Sequence, residues 1–278
     1  MLELIEIEKK FQEKKILENI NFKVDKGEFF GLLGSNGAGK TTMIKLISTL
    51  LLPSHGKILL DRNEITRNNV EIKKRITTVT QEYTLRGDMS VDEIMEYQGR
   101  LYRIPREQRK RDSKDLLEFC GLMEHRKKRV RELSGGMKRK LMLCRALLPK
   151  PELVLLDEPT VGLDPFSRRQ MWDLISGLNQ QGMTFILTTH YMEEAQMLCK
   201  RIALIDEGRL LDIAPPLELI NQLGNIAVEV VSPGGIQQEY FRNRELALAY
   251  AGSLNDPFTL RQTNLEDVFI KRLGRGID

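Results

Sequence analysis

Cysteine, tryptophan and histidine are scarce in this chain of 278 residues, at three, one and three copies. Cys120, Cys144 and Cys199 stand alone, are odd in number and lack paired-ligand spacing, which excludes a disulfide framework or zinc site and fits reduced core thiols. Long apolar runs are missing too: Ile44 to Leu52 is interrupted by Lys45, Ser48 and Thr49, too short and too polar to cross a bilayer. The opening Met1-Leu2-Glu3-Leu4-Ile5-Glu6 has no basic signal-peptide start, so a soluble, cytosolic protein is expected. Net charge is only +4, with a pI near 8.9, which by itself nominates neither nucleic acid nor a membrane surface. There are no internal repeats and no low-complexity tracts. A hydrophobic fraction of 41% is ample for the core of one large or two modest domains.

What is present is concentrated in a few motifs. Gly34-Ser35-Asn36-Gly37-Ala38-Gly39-Lys40-Thr41-Thr42 matches the phosphate-loop pattern G-x-x-x-x-G-K-[ST]. Glu28 to Leu33 reads as a buried strand and Thr42 to Ile47 as the helix after it, the setting the pattern requires. The glycines let the backbone close around phosphates, and the helix N-terminus adds partial positive charge. Lys40 supplies a full charge and Thr41 a hydroxyl for magnesium. A glycine-rich turn into an ordinary helix would need neither lysine nor threonine there, so a nucleoside triphosphate is the predicted ligand.

Downstream, the apolar run Leu153-Val154-Leu155-Leu156 ends abruptly in Asp157-Glu158-Pro159, which places two carboxylates on a buried parallel strand. Beside a phosphate loop, Asp157 would hold the magnesium shell and Glu158 would orient or deprotonate the attacking water, a role worth about 10²- to 10⁴-fold in rate. Ser134 can cap the helix that runs through Lys138 to Leu148, which makes a second anion cradle at Leu133-Ser134-Gly135-Gly136-Met137.

The order of the phosphate loop, LSGGM at Leu133, LLDEP at Leu155, GLDP at Gly162 and TTH at Thr188 resembles that of ATP-binding cassette (ABC) proteins over about residues 2–215. The resemblance implies an α/β fold of the P-loop NTPase, ABC ATPase type, with a mixed central sheet, an antiparallel β subdomain and an α-helical subdomain. It also implies a head-to-tail, ATP-dependent homodimer, or a pair with a related ATPase subunit, in which Ser134, Gly135 and Gly136 face the phosphates held by Lys40 of the other copy. Met137 stands where the family most often has glutamine. By the same resemblance Gln81 reaches magnesium and the attacking water, His190 contacts the γ-phosphate, and Asp164 couples the two sites. Phe11 occupies the place of the ring that stacks on adenine, with a core position as its alternative. His55 and His125 match no motif and read as loop residues.

Leu2 to Phe11, Ile16 to Val24 and Lys57 to Asp61 read as antiparallel strands, with Asp25-Lys26-Gly27 as a turn. From Gln81 to Glu132 the pattern is helical: Ser90 and Glu93 form a capping box, and Ile94, Tyr97 and Leu101 share one face, expected to be core. Pro105 starts another helix that Gly121 stops. Arg100 to Lys114 and Arg126 to Arg131 are strongly basic, which a solvated helix face explains, although anionic headgroups would also favour it. No aromatics are interleaved for stacking bases, so nucleic acid is not expected as a partner.

The expected organisation is a nucleotide-binding domain at 1–216, with the helical subdomain at about 82–150, and a small α+β extension at 217–278. Within the extension Ile226 to Val231 reads as a strand, and Asn264 caps a helix containing LEDVF. That tail and the SGGMKR signature resemble those of drug and daunorubicin-type exporter ATPases. The resemblance implies an ATPase of an ABC exporter for drug, lipid or polysaccharide, using ATP and Mg2+ at the cytoplasmic face of the cell membrane. Its partners would be separate polytopic permease subunits, with Tyr83 and Leu85 expected at that contact. An importer ATPase is the alternative. An ABC ATPase acting on ribosomes or DNA is disfavoured, because the chain has one cassette and no heptad array.

Overall fold

A computed structural model of the chain describes residues 1–232, 235–254 and 256–273. The last residues of the expected extension, 274–278, lie outside the described residues. A six-stranded sheet of order β10-β9-β3-β8-β7-β6 is the centre of the molecule. It is built from β3 (Phe29–Gly34), β6 (Ile76–Val79), β7 (Leu153–Asp157), β8 (Thr184–Thr189), β9 (Arg201–Asp206) and β10 (Arg209–Ala214). All neighbours pair in parallel except β10, which runs antiparallel on β9. Its strands read as unbroken apolar runs because both faces are covered. Phe30, Leu32, Leu153, Leu155 and Ile186 face one core, while Phe29, Leu33, Val154, Leu156, Phe185 and Leu187 face the other, the two-residue alternation of a strand.

The first of these cores is closed by an antiparallel sheet of order β2-β1-β4-β5. It comprises β1 (Leu2–Phe11), β2 (Lys14–Val24), β4 (His55–Leu60) and the short β5 (Asn63–Glu64), with α1 (Lys40–Ile47) packed between the two sheets. His55 therefore opens a strand instead of lying in a loop. The short α2 (Val70–Lys74) leads into β6. The second core is covered by α5 (Gly135–Leu147), α6 (Pro165–Gln180), α7 (Met192–Leu198) and α8 (Pro216–Leu223).

Between β6 and α5 lies a helical insert with α3 (Val91–Leu101) and α4 (Arg106–Phe119), which builds its own small core from Val91, Ile94, Met95, Leu117 and Leu122. The Ser90–Glu93 capping box is present, and Gly121 follows the end of α4 at φ +68°, the left-handed geometry that glycine supplies. One expectation fails here. Ile94 is buried, but Tyr97 is 60% and Leu101 63% exposed, because the insert is two helices deep and only one edge of α3 meets them. Arg109 is no solvated cation either: it is buried and forms a two-pronged pair with Glu96.

Beyond α8 a three-stranded sheet of order β12-β11-β13 carries α9 (Arg244–Ala251) on one face. Its strands are β11 (Ile226–Ser232), β12 (Gly235–Phe241) and β13 (Phe258–Gln262). The chain then returns. In α10 (Leu265–Leu273), Leu265, Val268 and Phe269 enter the main core beside Met192, Leu219 and Ile220. Asn264 and Asp267 exchange backbone and side-chain hydrogen bonds at its start, and Arg261 clamps the Asp267 carboxylate.

Candidate active site

Strand register brings the motifs together. Leu33 pairs with Thr189 and Asp157 with Thr188, so the ends of β3, β7 and β8 are level. Val79 pairs with Leu156, so β6 ends beside β7, and Gln81 and Glu158 follow just beyond the two strand ends. Residues just beyond the carboxyl ends of these strands, Ser35, Gln81, Glu158 and His190, line one cleft, the usual place for a ligand in an open parallel sheet. The cavity measures about 920 Å³. Ser35, Asn36, Gly37, Gly39, Lys40, Thr41, Thr42, Gln81, Glu158 and His190 line it, joined by Lys14, Ile16, Val161, Met192, Asp206 and Phe269.

The phosphate loop is shaped by close approach. A side chain at Gly34 would put its Cβ 2.2 Å from the Ile205 carbonyl oxygen, and Gly39 sits at φ +105° against Leu17. Ala38 is buried and its amide donates to the Ser35 carbonyl, closing the turn. Gly39 caps α1 without a side-chain hydrogen bond, so no side chain occupies the first-turn amides and they remain available to an anion. The Lys40 ammonium curls over the loop, donating to the Gly34 and Ser35 carbonyls at 2.7 and 2.9 Å. Burial pushes its pKa down, while the charges of Glu158 and Asp157 pull the other way.

Asp157 and Glu158 diverge. The buried Asp157 carboxylate accepts from the hydroxyls of Thr188 at 2.6 Å and Thr41 at 3.3 Å. Glu158 has φ +49°, a left-handed conformation that costs a non-glycine residue about 1–2 kcal/mol. That turn carries its side chain out of the strand and toward His190, whose Nδ1 lies 3.4 Å from Glu158 Oε2. Behind them is an acceptor that sequence reasoning missed. Glu194, on α7, is fully buried and accepts from the Thr160 hydroxyl at 2.8 Å and the Trp172 indole at 2.9 Å. It thereby ties the turn after Glu158 and helix α6 to the segment that follows His190; in sequence it is one of two adjacent glutamates with nothing to mark it.

Three predicted residues stand apart. Phe11 is 45% exposed with the Lys9 ammonium 4.9 Å from its ring, so it is no core residue. It pairs across its hairpin with Lys14, which does line the cavity. Asp164 caps α6 by accepting from the Ser167 amide at 2.9 Å, and the Ser167 hydroxyl and amide hold its carboxyl below the usual range. Ser134, Gly135 and Gly136 open α5 outside this cavity, Ser134 accepting from the Met137 amide at 3.2 Å. Met137 packs its thioether against the core of the helical insert. Leu85 is partly buried between two cores, and the Tyr83 hydroxyl donates to the Gly135 carbonyl.

The family profile described as ABC transporter matches residues 17–161 of the chain. The linearmycin resistance ATP-binding protein LnrL of Bacillus subtilis is 38% identical, over 86% of this chain and 77% of its own length. The Nod factor export ATP-binding protein I of Cupriavidus metallidurans is 36% identical, over 99% and 98%. This chain belongs to the ABC transporter family.

Solved structures agree with that membership. An ABC transporter ATP-binding subunit superposes with TM-score 0.72 at 26% identity, over 80% of this chain and 92% of that one. A dimeric ATP-binding cassette bound to ADP and phosphate after hydrolysis gives 0.69 at 26%, over 77% and 98%. As an ABC protein the chain binds ATP and is an ATPase subunit of a transporter. Among the described residues no helix is long and apolar enough to cross a membrane.

Proposed function

We propose that the chain energises export through separate polytopic permease subunits at the cytoplasmic face of the cell membrane, as a head-to-tail dimer with ATP at each interface. The observation that carries the reading is the convergence of Lys40, Gln81, Glu158 and His190 on one cavity, while Ser134 to Gly136 lie outside it. A second copy would bring that other anion cradle to the phosphates, where a further helix N-terminus neutralises charge the first leaves exposed. Two relatives, one named for Nod factor export and one for linearmycin resistance, support export.

The residues also fit a magnesium ion shared with phosphates. Thr41 and Asp157 offer hard oxygens 3.3 Å apart, and no cluster of three metal-binding side chains exists among the described residues. That suits a cation completing its shell with phosphate and water. Thr41, Asp157 and Gln81 would hold it, and its contribution would be neutralisation of phosphate charge. In hydrolysis Glu158 accepts the proton of the attacking water, His190 steadies the Glu158 carboxylate and the γ-phosphate, and Lys40 releases its loop carbonyls for phosphate oxygens. Lys14, Ile16 and Phe11 form the adenine side, and Asp164 meets the partner.

A groove of about 410 Å³ between α1, α2 and β6 on one side and α3 and α5 on the other suits a permease helix. Leu50, Val70, Tyr102 and Arg145 line it, and Tyr97 and Leu101 stand exposed nearby on α3. The test is affinity capture of tagged Glu158→Gln protein from detergent-solubilised cells in ATP. A stoichiometric polytopic membrane protein is expected; recovery of ribosomal or DNA-repair proteins alone would contradict transport.

A further inference from the structure

Arg139 is the largest fully buried side chain among the described residues, at 2% exposure. It lies on α5 one turn beyond Ser134 to Gly136. Burial pushes its pKa down, and no carboxylate offsets the charge. Its Nε makes no hydrogen bond. An interior cation without a counter-charge opposes folding, and an apolar side chain of similar volume would avoid that cost.

What a methionine could not do is hold the neighbouring loop. The two ends of the guanidinium donate to consecutive carbonyls, Thr80 at 2.8 Å and Gln81 at 2.9 Å. The same plane lies over the Tyr83 ring, 4.9 Å from its centroid. Tyr83 closes the circuit, its hydroxyl donating to the Gly135 carbonyl at 3.3 Å. The loop that projects Gln81 into the chain's own cavity is thus fastened at three points to the helix whose N-terminus carries the signature glycines.

We propose that Arg139 is a positioning residue that locks the Gln81 loop to α5, so that a chain's own nucleotide site and the cradle it offers to its partner's nucleotide shift as one body. The inference rests on the head-to-tail reading above. A phosphate contact that draws Gln81 inward then biases Ser134 to Gly136 toward the partner, and by linkage the partner's nucleotide biases Gln81 equally.

The test compares full-length wild-type protein with Arg139→Met, and with Tyr83→Phe, which removes only the hydroxyl from an exposed ring. For Arg139→Met the clamp predicts an unchanged or raised Tm and ATP affinity within about twofold of wild type. It also predicts a kcat roughly tenfold lower, with cooperativity in ATP lost. In a Glu158→Gln background, Arg139→Met should need roughly tenfold more ATP to dimerise, and Tyr83→Phe should move in the same direction by less. Wild-type turnover and cooperativity in both variants would overturn the proposal. So would a joint fall of Tm, ATP affinity and kcat, which would make Arg139 merely structural. If Glu158→Gln alone forms no dimer in ATP, the head-to-tail reading fails and takes the cross-site role with it; a dimer unaffected by Arg139→Met defeats the clamp alone.

Discussion

At the scale of single residues, the cavity separates ATP binding from turnover. Lys40→Ala removes the charged donor that would turn from its loop carbonyls to the phosphates, so ATP affinity in equilibrium binding should fall about 10- to 100-fold. Glu158→Gln should bind ATP normally while kcat falls about 10²- to 10⁴-fold in a steady-state assay. Glu194 gives a third prediction. Glu194→Ala strands the Thr160 hydroxyl and the Trp172 indole in the core, which should cost about 1–3 kcal/mol in denaturant unfolding. Glu194→Gln keeps an accepting oxygen and sheds a buried charge, so it should hold wild-type stability. The motif residues were legible because their chemistry is written in residue type and spacing: Asp157, Glu158 and His190 lie at the expected strand ends, and Lys40 opens the expected helix. Glu194 and Arg139 were not, because burial of a charge is decided by tertiary packing and leaves no local pattern.

At the scale of elements, the strands and caps followed from periodicity, and the errors fell where a helix has an apolar stripe but too little to pack against. Tyr97 and Leu101 share a face with Ile94, yet the thin insert covers only the first. The terminal helix shows the opposite limit. LEDVF reads as a capped amphipathic helix, but nothing in the sequence says that Phe269 reaches the cavity that also holds Lys40, over two hundred residues earlier. What fixes α10 there is Asp267, 1% exposed. Burial pushes its carboxyl up, but the Arg261 guanidinium and the Asn264 amide outweigh burial and hold it below 3.8. A depressed carboxyl stabilises the fold above its unfolded pKa, and that contribution is lost as pH falls below about 4. Asp267→Asn should therefore melt well below wild type near neutrality, and the gap should narrow below about pH 4 in paired thermal scans. Arg261→Met leaves the carboxylate buried and unpaired, and should cost about 3 kcal/mol in chemical unfolding.

At the scale of the whole molecule, the proposed dimer assigns the two anion cradles of one chain to different sites. The phosphate loop shares its cavity with Gln81, Glu158 and His190, whereas Ser134 to Gly136 stand outside it, Ser134 and Gly135 exposed and Gly136 half-buried. In the proposed head-to-tail dimer one copy is half of each catalytic site, and a second copy would supply the complement. Sequence order suggests that pairing only through resemblance, and it could not show that the Gln81 loop and the signature helix are fastened through Arg139 and Tyr83. The most direct measurement is disulfide trapping between Asn36→Cys and Ser134→Cys, placed together in the Glu158→Gln chain. Both positions are exposed, and the three native thiols are buried. The account predicts a cross-linked dimer that forms in ATP and not without it. Protein that stays monomeric in ATP, or cross-links equally in its absence, would contradict the composite site.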